Sequence, residues 1–174
     1  LFWREYLNNC NHTKLQLPKY DASAQKQSHK VIEKFLDITL VKNIIQYAKS
    51  QKTLLSNVYQ LAWGIVLSRY TGLNDVVFGV TVSGRAIDLD GVENMLGLFI
   101  NTIPQRLRLE HSAKVSDLLK KMQKEIIKIQ RYAYLPLSKI QTLYGTGDNS
   151  SLFNTLFIFE GGTFKRQLLE NELA

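Results

Sequence analysis

The 174-residue chain is 45% hydrophobic with 10 Gly and 3 Pro, which excludes a low-complexity segment and provides for one compact domain or lobe burying roughly 70% of its unfolded surface. Its single cysteine, Cys10, excludes an intrachain disulfide and points to a structural thiol in a reducing cytosol. No apolar run reaches the length of a membrane span and no signal-peptide core is legible, while a formal charge of +7 and a pI near 9.5 point to an anionic partner.

In chain order, Phe2 to Leu7 carries aromatic and apolar residues at near-helical spacing and reads as the end of a helix. A polar loop follows, and Leu15-Gln16-Leu17-Pro18 is extended because Pro18 biases Leu17 away from helix. Residues 20–28 form a polar connector. Residues 29–36 alternate as a strand does, with Val31, Glu33 and Phe35 on one face. Asp37 or Thr39 then caps a helix whose apolar stripe is Leu40, Val41, Ile44, Ile45 and Ala48. Thr53 caps a second helix, apolar over a wide arc that includes Leu54, Leu61, Ala62, Val66 and Leu67, so burial on more than one side is expected. Gly72 suits the left-handed position that ends it.

The stretch from Asp75 to Arg106 carries the most information. Val76 to Val82 is short and β-branched enough for a buried strand, and it stops at Ser83-Gly84-Arg85, which sets a guanidinium where the strand leaves the core. A polar loop runs from Asp88 to Asn94. The segment Leu96-Gly97-Leu98-Phe99-Ile100-Asn101-Thr102 then sets one amide among apolar neighbours, and a buried amide needs partners. Taken alone, the glycines read as packing contacts and Asn101 as a backbone partner.

Residues 103–109 read as a strand with Arg106 and Arg108 facing away from Leu107 and Leu109. Ser112 offers a cap for a helix to about Tyr132, with Val115, Leu118, Leu119, Met122, Ile126 and Ile129 inward. Its other side carries Lys120, Lys121, Lys124, Lys128 and Arg131, readable as a solvated face or as a docking surface for an acidic partner. Residues 145–151 form a polar loop, and Leu152 to Phe159 is a strong strand. His12, His29 and His111 all lie in polar surroundings and read as solvated.

Ser83-Gly84-Arg85, followed by Gly91 to Thr102 with its G-x-F-x-N-T pattern, resembles the condensation domains of nonribosomal peptide synthetases. Further similarities are Ala62-Trp63, the D-V-V-F-G strand, the Tyr132 to Leu137 segment and the Asn154 strand, where Thr155 replaces the family's proline. The family has polar residues where Ala133 and Leu135 stand here. The resemblance covers most of residues 1–160 and only the second half of the family's domain. It implies an α/β sandwich, the C-terminal lobe of a chloramphenicol-acetyltransferase-like fold, with a mixed sheet packed by helices. Residues 1–28 would be an entry helix end and connector, 29–160 the lobe core, and 161–174 a divergent or truncated tail.

The function implied is amide-bond formation between an aminoacyl and a peptidyl or acyl thioester on carrier proteins. The family's His-His-x-x-x-Asp-Gly motif belongs to the first half, and no two histidines are adjacent here, so no catalytic residue and no activity are expected of this lobe alone. By resemblance, Asn101 lines the channel near the reacting centre, supported by Ser83, Gly84 and Gly97, and Arg85 pairs with the motif aspartate of the other lobe. With that lobe absent, Arg85 is expected to have lost its carboxylate or to have turned to Asp88, Asp90, water or another chain. No metal is implied and no cofactor binds directly, the phosphopantetheine arms of the carriers bringing the substrates. The implied partners are the N-terminal lobe, peptidyl carrier proteins and an adenylation domain, in the cytoplasm and without a membrane. An exposed apolar face is expected where the first lobe belongs, with self-association as one outcome. A lobe of another acyltransferase or of an epimerisation domain is the nearest alternative. A non-catalytic basic interaction module is the third, although scattered charges and the absence of RNP, zinc-finger or helix-turn-helix signatures disfavour nucleic acid.

Overall fold

The computed structural model describes residues 2–16, 30–85, 89–110, 112–144 and 151–161, without the side chain of Glu93. The tail beyond 161, the connector at 17–29, most of the 145–151 loop, His29 and His111 lie outside these residues.

Strands β1 (Asp75–Val82) and β2 (Asn101–Arg108) form the centre of the fold. They pair antiparallel from Asp75↔Arg108 to Val82↔Asn101, so the connection between them leaves and returns at the Val82/Asn101 end. A short strand β3 (Leu156–Phe157) runs parallel to β1 on its other side, giving a mixed sheet in the order β2-β1-β3. Because side chains alternate between faces, Val76, Phe78 and Val80 share one face with Asn101, Ile103, Gln105 and Leu107.

Helices α3 (Leu55–Thr71) and α4 (Val115–Gln130) cover that face. Gly64 lets α3 lie against β2, since a Cβ there would run into the Leu107 side chain. Leu61 and Leu67 of α3 and Leu118, Leu119, Met122 and Ile129 of α4 complete the layer. On the opposite face, α1 (Phe2–Tyr6) and α5 (Leu137–Tyr144) pack Trp3 and Ile140 into the same core, and Phe153 fills the space left by Gly79. Helix α2 (Ile38–Ser50) rests on α3. Its first turn is capped by Asp37, whose Oδ1 accepts from the Thr39 and Leu40 amides, and Gly72 ends α3 with φ of 71°.

Several expectations need correction. Of the strand expected at residues 29–36, the described residues 30–36 pair with no strand, and Val31, Ile32 and Phe35 stand at 82, 91 and 86% exposure; alternation alone makes no strand without a packed face. Thr53 and Ser112 do not cap their helices. The cap positions belong to Leu54 and Lys114 with no side-chain bond, and the Thr53 hydroxyl instead accepts from Asn57 Nδ2. The wide apolar arc of α3 is not buried throughout, for Leu54, Ala62 and Val66 are exposed while Asn57 and Gln60 are buried.

The strand expected over Leu152 to Phe159 shrinks to two residues plus a bridge between Phe153 and Thr13. Between them the Asn154 amide takes over the backbone's part: its Oδ1 accepts from Leu15 N–H and its Nδ2 donates to Leu15 C=O. Arg106 does lie on the opposite face from Leu107, as expected, and that face too is covered: α1 and its following loop bury Arg106 to 4% exposure.

Candidate functional site

The Val82/Asn101 end of the sheet opens into a cleft of about 340 Å³. Its floor is the helix-covered face of β1 and β2, its walls are the first turns of α3 and the last turns of α4, and Phe157 and Phe159 close one side. The lining is largely apolar, interrupted by the polar residues Ser56, Asn57, Gln60, Thr81, Ser83, Gln105 and Gln130. Among the described residues no ionised group lines it.

Ser83 and Gly84, both singled out by sequence, stand in the wall of this cleft; Arg85, Gly97 and Asn101 do not line it. Gly84 has φ of 70°, and a Cβ there would collide with the Phe99 carbonyl oxygen, so the chain leaving β1 presses directly on the chain entering β2. Arg85 turns back into the same connection. Its guanidinium donates from Nη1 to Val92 C=O and from Nη2 to Met95 C=O at 2.9 Å, and lies 4.3 Å from the Phe99 ring centroid. These carbonyls belong to a single 3-10 turn (Val92–Asn94) and the residue after it.

Of the alternatives expected for Arg85, loss of its carboxylate agrees with the described contacts, and Asp90 is not taken up. Among the described side chains no carboxylate pairs with it, and Asp88 lies outside the described residues. Planar geometry explains the choice, since one guanidinium spans two carbonyls and stacks on a ring at once.

Asn101 is half-buried and fully engaged. Its Nδ2 donates to Ala133 C=O at 2.7 Å and Leu135 C=O at 2.9 Å, and its Oδ1 accepts from Thr102 N–H. The side chain thus ties the start of β2 to the turn after α4, one residue pair beyond the cleft floor. Around it the apolar residues of the connection are exposed, Leu96 at 101% and Leu98 at 89%. Gly97, with φ of 152°, lies in this exposed run.

Sequence reasoning missed the buried cation of the second face. Arg106 donates from Nε and Nη2 to the Asp75 carboxylate, with Nη2 at 2.5 Å, and from Nη1 to the carbonyls of Tyr6 and Asn8 at 2.7 and 2.9 Å. Burial works against its charge, yet the hydrogen bonds and charge of Asp75 outweigh it, and the guanidinium pKa stands above its usual value. The Arg106 amide donates to Tyr6 Oη, whose phenol is pushed well up, first by burial and then by Glu125. The usable signal was Asp75 facing the Arg side of β2 across an antiparallel pair of eight residues each.

Cys10 is buried, which raises its thiol pKa, and its carbonyl accepts from Tyr144 Oη, so it behaves as a packing residue. His12 is exposed, its ring 5.7 Å from that of Tyr144. On α4, Lys120, Lys121, Lys124, Lys128 and, just beyond, Arg131 are all exposed. Lys121 makes an ion pair with Glu110 at 2.9 Å. Among the described residues no helix is long and apolar enough to cross a membrane.

A mixed sheet under helices, with S-G-R and G-x-F-x-N-T meeting at one end, defines the class, and the family model described as "Condensation domain" matches residues 1–172. The chain belongs to that family. Among relatives, bacitracin synthase 3 of Bacillus licheniformis is 37% identical over 161 residues, covering 91% of this chain and 2% of that protein. Surfactin synthase subunit 2 of Bacillus subtilis (strain 168) is 41% identical over 132 residues, covering 76% of this chain and 4% of that protein. A solved starter condensation domain of rhizomide synthetase, in complex with C8-CoA, aligns with a TM-score of 0.54 at 26% identity, over 60% of this chain and 23% of that one. The chain therefore spans only a few per cent of these curated relatives, 2% of one and 4% of the other.

Proposed function

We propose that the chain is the C-terminal lobe of a condensation domain, residues 29–160 forming its core, and that the complete domain joins an aminoacyl and a peptidyl or acyl thioester by amide-bond formation. The observation that carries this reading is the meeting of Ser83-Gly84-Arg85 with the Gly97 to Thr102 motif, Gly84 and Arg85 lying against Phe99, at the end of the sheet where Ser83 and Gly84 line the cleft, beside exposed Leu96, Leu98 and Ile100. In this reading the other lobe brings the adjacent histidines, and the apolar connection is the surface that receives it. Arg85 and Asn101 act as positioning residues. The first fixes the connection beneath the reacting centre, and the second fixes the turn at residues 131–135.

The chemical demand on such a site is placement of an amine against a thioester with polar groups at the developing charge. Substrates arrive on phosphopantetheine arms of carrier proteins, with an adenylation domain as neighbour, in the cytoplasm. The basic face of α4, Lys120, Lys124, Lys128 and Arg131 with Lys121, is assigned to docking an acidic carrier. The experiment is amide formation from two carrier-bound thioesters, with this chain alone and joined to a lobe that carries His-His-x-x-x-Asp-Gly. Product from the joined protein alone supports the reading; no product from either, or equal product from both, sinks it.

A further inference from the structure

Among the described residues lining the cleft, one buried side-chain polar atom is without a partner. Gln60 is 7% exposed and lines the cleft, and its Oε1 accepts no hydrogen bond among the described residues. A buried acceptor left in this state is costly, so natural proteins leave few of them. Of the polar side chains near it, Asn57 Nδ2 donates to Thr53 Oγ1 and Gln105 Nε2 donates to Arg106 C=O, while Trp63 Nε1, one turn along α3 and outside the cleft lining, is also buried without a partner. The terminal torsion of a glutamine is soft, so rotation about it presents the carbonyl to the cleft that the residue lines.

The rest of the lining restricts what can meet it. A volume of about 340 Å³ lies at the small end of pockets that take small molecules. Val80, Ile103, Ile126, Ile129, Phe157 and Phe159 supply apolar walls. With no ionised side chain among the described lining residues, a charged group would lose its hydration and gain no counter-charge. We propose that this cleft recognises an uncharged, largely apolar substituent carrying one N–H or O–H, received by Gln60 Oε1. Gln60 is then a specificity-determining residue. The proposal rests on the reading above only for what carries that substituent, namely a thioester-tethered substrate.

The test uses the 174-residue chain and two nearly isosteric probes, indole, which has the N–H, and indene, which lacks it. Dissociation constants come from NMR titration, with amide shifts at Val82, Ser83 and Gln60 marking the site. Indole should bind about fivefold more tightly than indene, the worth of one net hydrogen bond. In Gln60→Met the two should bind alike, and the variant should melt at or above the parent's temperature because an orphaned acceptor is gone. Gln60→Leu repeats the test should the methionine variant fold poorly. Equal binding of both probes to the parent, binding of neither, or a preference that survives both substitutions overturns the proposal. None of these results bears on amide formation by the joined lobes, which tests the other reading separately.

Discussion

Arg106→Met removes the cation that the second face of β2 is built on. In the native fold its side chain is 5% exposed and engages Asp75, Tyr6 C=O and Asn8 C=O together. The substitution leaves the Asp75 carboxylate, at 22% exposure, with only the longer Arg108 Nε contact at 3.9 Å, and two carbonyls without their donor. Removing one member of a buried pair costs about 3–5 kcal/mol, and the remaining exposure of Asp75 places this case toward the lower end. For a chain of this length that is a fall in Tm of roughly 6–12 °C. Urea unfolding followed by circular dichroism measures it, with the midpoint falling and the slope unchanged. Asp75→Leu combined with Arg106→Met should recover much of the loss, because no buried charge is then left alone. A single substitution costing under about 1 kcal/mol, the scale of a surface pair, would refute the argument, as would a double variant no better than the single.

Asn101→Ala should destabilise by about 1–3 kcal/mol, because the Ala133 and Leu135 carbonyls lose their donor, while Asn101→Asp should cost more by setting a carboxylate against them; chemical denaturation distinguishes the order. Arg85→Lys should speed hydrogen exchange at residues 89–100 and leave β1 and β2 protected, since a lysine cannot span both carbonyls and stack on Phe99. Gly84→Ala should lose most folded protein, because the new Cβ meets the Phe99 backbone and φ is 70°. Glu125 has its carboxyl pKa raised by burial, against the pull of Arg108 and Lys121. The folded state then holds the proton to higher pH than the unfolded chain, so stability should fall as pH rises above about 4.3; Glu125→Gln should flatten that slope in a pH series of melting temperatures.

The parts of the fold set by local pattern were readable in the residues. Val76 to Val82, most of the inward stripe of α4, the Asp37 cap and the Gly72 stop each follow from periodicity or turn chemistry and stand where expected, with Val115 of that stripe exposed at the helix start. What failed depended on distant partners. Val31 and Phe35 alternate like a strand, yet no neighbour is there to pair with them. Leu152 to Phe159 is β-prone, yet the Asn154 side chain interrupts its ladder by bonding Leu15, far away in sequence. Arg106 takes the face expected of it, but its burial depends on α1, far away in sequence.

The candidate site divides the same way. Ser83, Gly84, Arg85 and Asn101 were singled out through order and spacing, and of these Ser83 and Gly84 line the cleft. Their partners were not, because backbone carbonyls at Val92, Met95, Ala133 and Leu135 carry no signature in a sequence. Gln60 was invisible for a related reason, a polar side chain on the buried side of a helix whose apolar residues are partly exposed.

The account depends on the apolar connection between β1 and β2 being the contact surface for a histidine-bearing lobe. Hydrogen exchange of this chain, alone and with that lobe added as a separate polypeptide, measures this directly. Protection should appear at residues 95–100 and at Ser83 to Arg85, with α4's lysine face unchanged. Binding that leaves residues 95–100 exchanging as before, or no binding at all, would contradict it.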